Sequence, residues 1–383
     1  MSNIFAQNLP DSIIKKLSIR VKEQDGINFG QGIPSFPTAE HIREAARQAL
    51  DEKDIGVYPN FLGDNDLRQK IADKFTKELG KPTSVNQILI TVGAMEAVAS
   101  SILSLINPGE KIGIITPDYC NHFPAALLTK GEVVEIPMRE NDVWQLDVEN
   151  VQAAAKIGLK ALIVTNPSNP TGAVLTHEQL RELVNLSTQH GFWLLVDETY
   201  SFLTYDDMKF TSLLKFYEKC QRLITIRSFS KEYAMTGWRV GYIVARPETV
   251  KLISRTHDAL VGCVAKISQR AALAAISGPQ EIVSKYQHIL QRRREVICKK
   301  LDTLTNFLTF AKPQGAYYIF PKLQNSRSSE EISEKILKTV NVAVVPGVAF
   351  GKTGEGHIRI SYAVDDQILD EGLDRLANFF LQK

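Results

Sequence analysis

The sequence predicts an α/β fold built on a mostly parallel sheet, with a second, smaller α/β subdomain. Three observations predict it. Amphipathic helical stretches alternate with short β-branched runs from "PTAEHIREAARQAL" onward. Three apolar runs in the middle of the chain each end in a polar, turn-rich segment, and the pattern changes character after residue 280. The chain has 383 residues, 44% of them apolar or aromatic, which is enough for a large core and two subdomains.

In chain order, "DNDLRQKIADKFTKELG" reads as a helix closed by Gly80, and "QILITVG", "KIGIITP" and "EVVEIP" read as strands. "KALIVT" (160–165) is a buried strand, followed by the helix "THEQLRELVNLSTQHG", in which Thr176 and Gln179 fit a capping box. "FWLLVDE" (192–198), a shorter helix near "SLLKFYEK", and "RLITIRS" (222–228) continue the series. Right-handed crossovers make these three strands parallel and put their carboxyl ends on one sheet edge, where ligands bind. The segments just after them, "NPSNPTG", "DETY" and "SFSK", therefore meet at that edge. Beyond residue 280, "SKYQHILQRRREVICKKLDTL" is one long helix, followed by "GAYYIFP", a helix near "SSEEISEKILKTV", and the alternating run "HIRISY". The expected division is a large domain over 46–280 and a small domain formed by 1–45 and 281–383.

Charge narrows the partners. Forty-five Lys and Arg against 43 Asp and Glu leave +2, which gives no electrostatic reason to expect nucleic acid or an anionic membrane. The start, "MSNIFAQNLPDSIIKK", has no basic segment followed by a long apolar core, and no later stretch approaches the ~20 apolar residues of a membrane span. A soluble, cytoplasmic protein is expected. Cys120, Cys220, Cys263 and Cys298 form no CxxC pair, so reduced thiols are expected, with no zinc or other metal site.

The stretch "SFSKEYAMTGWRVGY" (228–242) places Lys231 after a strand, among small residues, with Arg239 eight positions on. A lone lysine is ordinarily a solvated cation. Desolvated, it becomes a nucleophile toward an aldehyde, because burial and a nearby cation lower its pKa from about 10.4. Asp197 ends an apolar strand and needs a cationic or donor partner; an aspartate there serves equally well as a cap or a metal ligand. Beside an imine-forming lysine, a protonated ring nitrogen is its natural partner, and Tyr200 can direct its phenol to the same ring. "TNPSNPTG" is a turn that brings the Asn169 amide to the sheet edge as a donor. "TVGAMEAVASSI" passes through Gly93 into a helix, so the amides near Ala94 and Met95 can bind an anion, which Ser228 and Arg239 would complete as a phosphate cup. Arg359 in "HIRISY" either faces solvent or grips a carboxylate bidentately.

Together, "GQGIPSFPT", "YPNFLGDNDLR", "TVGAMEA", "TNPSNPTG", "VDETY", "SFSKEYAMTGWRVGY", "GAYYIFP" and "HIRISY" span residues 30–362. In this order they resemble the pyridoxal-phosphate-dependent aminotransferases of fold type I, class I/II, in the short-N-terminus, aspartate/aromatic aminotransferase-like subgroup. The resemblance implies a three-layer, doubly wound, mostly parallel sheet with a smaller α/β domain, and pyridoxal 5'-phosphate as cofactor. It matches Lys231 to the lysine that holds the cofactor covalently, Asp197 to the partner of the pyridine nitrogen, and Tyr200 and Asn169 to the donors to the ring oxygen. It matches Ser228, Arg239, Ala94 and Met95 to the phosphate site and Tyr119 to the ring stacked on the pyridine. Tyr58 matches a tyrosine that reaches the phosphate of the neighbouring subunit, in a homodimer with its active sites at the interface. Arg359 matches the clamp on the substrate α-carboxylate, helped by Gly32 and Asn169.

The implied reaction moves an amino group between an L-amino acid and a 2-oxo acid such as 2-oxoglutarate, with ping-pong kinetics. No basic residue for a side-chain carboxylate is assigned, and Met95 stands where some aspartate-using relatives carry lysine. Tyr317, Tyr318 and the apolar "GVAF" segment suit a neutral or aromatic side chain. A carbon-sulfur β-lyase would show nearly the same residues, and an aspartate-type aminotransferase is the nearer alternative. A cofactor-binding regulator would need a DNA-binding segment for which the N-terminus leaves no room. A nucleotide loop in "GVAFGKTGEG" fails, since Gly347 and Gly351 enclose three residues where four are needed.

Overall fold

The computed structural model describes residues 9, 11–324 and 328–382. Residues 1–8 and 10, on which the reading of the N-terminal segment partly rests, lie outside the described residues, as do 325–327 and 383 within the expected small domain.

Seven strands form the main sheet: β1 (Ile88–Thr91), β2 (Lys111–Thr116), β3 (Glu132–Pro137), β4 (Leu159–Thr165), β5 (Trp193–Asp197), β6 (Leu223–Ser228) and β7 (Gly241–Ala245). Their order is β1-β7-β6-β5-β4-β2-β3. All neighbours are parallel except β7, which runs antiparallel to both β1 and β6. The expected adjacency of the three central strands is observed, with β4 beside β5 and β5 beside β6. The connection from β5 to β6 departs from expectation. Where a shorter helix is expected, it carries a single 3-10 turn, Leu213–Phe216.

Alternation along the strands makes three layers, because successive side chains point to opposite faces. Leu194 and Val196 join one buried cluster with Leu67, Ile71 and Phe75 of a helix, whereas Leu195 joins another with Ala97, Val98 and Ile102. The helices that matter below are α1 (Ile13–Glu23), α2 (Asn65–Leu79), α3 (Gly93–Leu105) and the short α4 (Phe229–Glu232). α2 ends at Gly80 in the left-handed region, and the Thr176–Gln179 capping box forms as its spacing predicts.

A separate core gathers Leu290, Ile297, Leu369 and Leu376 from the two long helices after residue 280 with a small antiparallel sheet. That sheet has the order β8-β10-β9, from β8 (Tyr318–Ile319), β9 (Val345–Pro346) and β10 (Ile358–Ser361). The N-terminal segment packs here as well: Ile27–Asn28 pairs in parallel with Val342–Ala343, and Leu17 and Val21 of α1 meet Leu337 and Ala343. Among the described residues no helix is long and apolar enough to cross a membrane.

Candidate active site

A cavity of about 250 Å³ opens at the carboxyl ends of β4, β5 and β6, where the topology brings the three polar segments together. Of the residues named from the sequence, Lys231, Asp197, Tyr200, Asn169, Ser228, Arg239, Ala94, Met95, Tyr119, Arg359 and Gly32 all line it. Tyr58 does not; it is 90% exposed and lies on the outer surface of its own chain.

Lys231 sits on α4, one turn past the end of β6, and its Nζ donates to the carbonyl of Gly32. Burial, reinforced by the Arg359 and Arg239 cations and opposed by Asp197, brings its pKa down to about 7. At neutral pH a large share of this amine is therefore unprotonated and nucleophilic, unlike a surface lysine.

Asp197 ends β5 and is 6% exposed. Its Oδ1 accepts from the Thr199 amide at 2.9 Å, so it does cap the following turn, while Oδ2 lies 3.6 Å from His122 Nε2. His122 is a participant that the sequence reading missed. Its Nδ1 is 2.7 Å from Asp118 Oδ2, and Asp118 Oδ1 accepts from the Thr165 hydroxyl at 2.5 Å. Burial opposes charge on this imidazole, but the two carboxylates outweigh it and raise its pKa to about 10. An Asp and a His four residues apart on a single turn, "DYCNH", were the available signal.

The residues expected to bind an anion gather around the first turn of α3. Its leading amides have no intrahelical acceptor, and Gly93, at φ +75°, leaves room for the guanidinium of Arg239. A Cβ at Gly93 would lie 2.4 Å from Arg239 Nη2. Ser228 and Ser230 also line this end of the cavity, their hydroxyls 2.9 Å apart; no motif marked Ser230.

Arg359 is 1% exposed and faces inward, which settles its alternative placement in solvent. Its Nη1 donates to Asn169 Oδ1 at 3.0 Å, Nη2 donates to the Gly30 carbonyl, and Nε has no partner among the described residues. The guanidinium lies 4.5 Å from the centre of the Tyr318 ring and 4.9 Å from that of Phe350. Tyr119 stands edge-on to His122, with its hydroxyl accepting from Asn121 Nδ2 at 2.9 Å. Of the apolar residues expected around the substrate, only Tyr318 lines the cavity. Tyr317 is fully buried and donates to Gly32, and Phe350 of "GVAF" packs beneath Arg359. Tyr318 opens β8 and Tyr317 lies just before it, and a placement decided over two residues is invisible in so short a run. The cavity is also lined by Ile14 and Lys15 of α1, which no motif marked.

A nucleophilic amine, a buried carboxylate across the same cavity and a cup of amides and hydroxyls meet the needs of an aromatic aldehyde carrying a phosphate. Fold and site thus define a pyridoxal-phosphate enzyme. Comparison with known proteins narrows the class. The profile of the family "Aminotransferase class I and II" matches residues 24–376, and the chain belongs to that family, whose members transfer amino groups. It is 35% identical to aromatic-amino-acid aminotransferase 2 of Thermococcus litoralis over 378 residues, 98% of this chain and 96% of that protein. The aspartate aminotransferase of Pyrococcus abyssi is equally similar, 35% identical over 378 residues, with 98% and 96% of the two chains covered. The crystal structure of an aromatic aminotransferase from Pyrococcus horikoshii superposes with a TM-score of 0.89 at 35% identity, covering 96% of this chain and 99% of that one.

Proposed function

We propose that the enzyme exchanges an amino group between an L-amino acid and a 2-oxo acid such as 2-oxoglutarate by a ping-pong route, with Lys231 both holding the cofactor and moving the substrate proton. One observation carries this reading: a buried lysine amine, its pKa lowered to about 7, shares a cavity with Asp197 and Arg359. When bound, pyridoxal phosphate supplies an aldehyde that captures amines and a ring that takes up electrons.

The chain's own residues then have these roles. Asp197, steadied by the Thr199 amide and His122, holds a proton at the ring nitrogen. Tyr200 donates to the ring oxygen together with Asn169, whose Oδ1 is committed to Arg359 and whose Nδ2 is therefore the available donor. Tyr119, which lines the cavity, would hold the ring. Ser228, Arg239 and the amides of Ala94 and Met95 bind the phosphate. Arg359 grips the substrate α-carboxylate, with Gly32 and Asn169 beside it. Lys231 Nζ would take the proton from the substrate Cα as a general base.

Ile14, Ile33, Tyr119 and Tyr318 line the cavity and support a neutral or aromatic side chain. A second reading, an aspartate-type enzyme, is favoured by Lys15, a cation that lines the same cavity. Under that reading Lys15→Ala raises the KM for aspartate about tenfold or more and leaves that for phenylalanine unchanged, the loss of one charge-assisted contact.

The reading includes a homodimer in which Tyr58 reaches the neighbouring phosphate, supported by the exposed apolar residues Val57, Tyr58 and Phe61 (62%, 90% and 43% exposed). It also includes a cytoplasmic setting and the division into 46–280 and 1–45 with 281–383. Borohydride reduction of the yellow protein followed by peptide mapping tests the central assignment. Label on Lys231 supports it, and label on any other lysine overturns it.

A further inference from the structure

We propose that Tyr318 is a positioning residue: its phenol sets how strongly Tyr200 donates, while its ring seats the Arg359 guanidinium. The inference rests on the function proposed above, which puts Tyr200 at the cofactor's ring oxygen and Arg359 at the substrate carboxylate.

The Tyr318 and Tyr200 hydroxyls are 2.7 Å apart, their rings edge-on at 85°. Tyr318 is 1% exposed and lines the cavity. Its backbone pairs with Ser361 across β8 and β10, which brings its ring beneath Arg359, 4.5 Å from the guanidinium. Gly32 makes room for the hydroxyl, since a Cβ there would lie 1.8 Å from Tyr318 Oη. The adjacent Tyr317 also packs its ring edge-on to Tyr200, centroids 5.2 Å apart, but its hydroxyl donates to the Gly32 carbonyl at 2.9 Å. The charged and titratable groups around Tyr200 are Tyr119, Asp197, Lys231, Tyr317, Tyr318 and Arg359.

Each phenol has one proton and two acceptor sites, and in the 2.7 Å pair either oxygen can donate. Once Tyr200 gives its proton to an acceptor in the cavity, the pair survives only if Tyr318 becomes the donor. An oxygen that accepts a hydrogen bond donates its own proton more strongly. Stronger donation from Tyr200 favours the charged, proton-free form of the group it faces. Removing the Tyr318 hydroxyl must therefore raise the pH midpoint of the bound cofactor's visible absorption band.

The experiment titrates that band in the holoenzyme for wild type, Tyr318→Phe, Tyr200→Phe and the double variant. Tyr318→Phe, which keeps the ring, is expected to raise the midpoint by about 0.3–0.5 pH unit, a fraction of the roughly one unit expected for Tyr200→Phe. In the Tyr200→Phe background the Tyr318 effect should vanish. Gly32→Ala, which displaces the hydroxyl without altering Tyr318, should raise the midpoint in the same direction. An unmoved midpoint in either Tyr318→Phe or Gly32→Ala, or an equal Tyr318 shift in both backgrounds, overturns the proposal. An unmoved midpoint in Tyr200→Phe instead removes Tyr200 from the ring oxygen, which is the failure of the parent reading.

Discussion

Two sides of the same strand ends treat charge in opposite ways. Asp197 and Glu198 are consecutive, as are Arg227 and Ser228, yet strand alternation sends Asp197 and Ser228 into the cavity and the other two behind it. Behind the sheet every charge is matched. Glu198 is fully buried and accepts from Arg227 Nε at 3.0 Å, Ser212 Oγ at 2.9 Å and the Leu213 amide at 2.9 Å, while Arg227 also grips Glu78 of α2 through both Nη atoms at 2.9 and 2.8 Å. In the cavity charge is left incomplete: Lys231 is held half-deprotonated near neutrality, and Arg359 Nε has no partner among the described residues. The rear pairs fasten β5, β6 and α2 together, and that rigidity lets the front groups stay unsatisfied and reactive.

Exchanging the behaviour of the two sides is the way to break this contrast. The largest expected effect is on activity. Lys231→Met should lower kcat by at least about a thousandfold, the loss of nucleophile and general base together. The same change should stabilise the cofactor-free protein. Because the folded pKa of Lys231, about 7, lies below its unfolded value of 10.5, the unfolded chain binds more protons between those pH values. Stability of the cofactor-free wild type therefore rises with pH from about 7 to 10.5, and the penalty is fully present below 7. Denaturant titrations of wild type and variant across that window should diverge by a few kcal/mol toward pH 7 and converge near 10.5. Parallel curves would refute a desolvated amine.

Arg227→Met attacks the rear side instead. It leaves Glu198 buried without its cation, and burial already drives that carboxyl upward against the opposing pull of Arg227. A loss of about 3–5 kcal/mol is expected in chemical denaturation, with the turnover of the molecules that remain folded little changed. If activity per folded molecule instead collapsed while stability held, the division of labour between the two faces would be wrong.

The smallest expected effect sharpens the comparison at its boundary, where His122 is charged but serves the front. Its folded pKa, about 10, stands above the ordinary value of 6.5, so its stabilising contribution is complete below 6.5 and lost as pH rises through 10. Asp118→Asn removes the nearer carboxylate and should bring the imidazole's pKa down by about a unit or more, seen by NMR as titration entering the range below pH 9. An unchanged titration would leave Asp197 as the sole source of the shift.

Much of this was legible in the chain. Apolar runs ending in polar turns gave the strands, and a lysine, an aspartate and an asparagine after three such runs had to converge once the crossovers were right-handed. Glycine at 93 marked the turn where Arg239 packs against the start of α3. Other features were not legible, for identifiable reasons. His122 lies on a short helix with no periodic signal, and its partner Asp197 is 75 positions away in sequence, a contact made only by folding. Lys15 comes from α1, whose own pattern records only its packing on Leu337 and Ala343.

The sequence by itself determined which elements form and which residue types arrive at the sheet edge, because periodicity, capping and turn chemistry act over a few residues. Tertiary structure alone decided which of two adjacent tyrosines faces the cavity, that Arg359 is buried, and that the amine at 231 titrates near neutrality. Each of those depends on desolvation and on charges brought within a few ångströms from distant parts of the chain, and no local pattern encodes a dielectric environment.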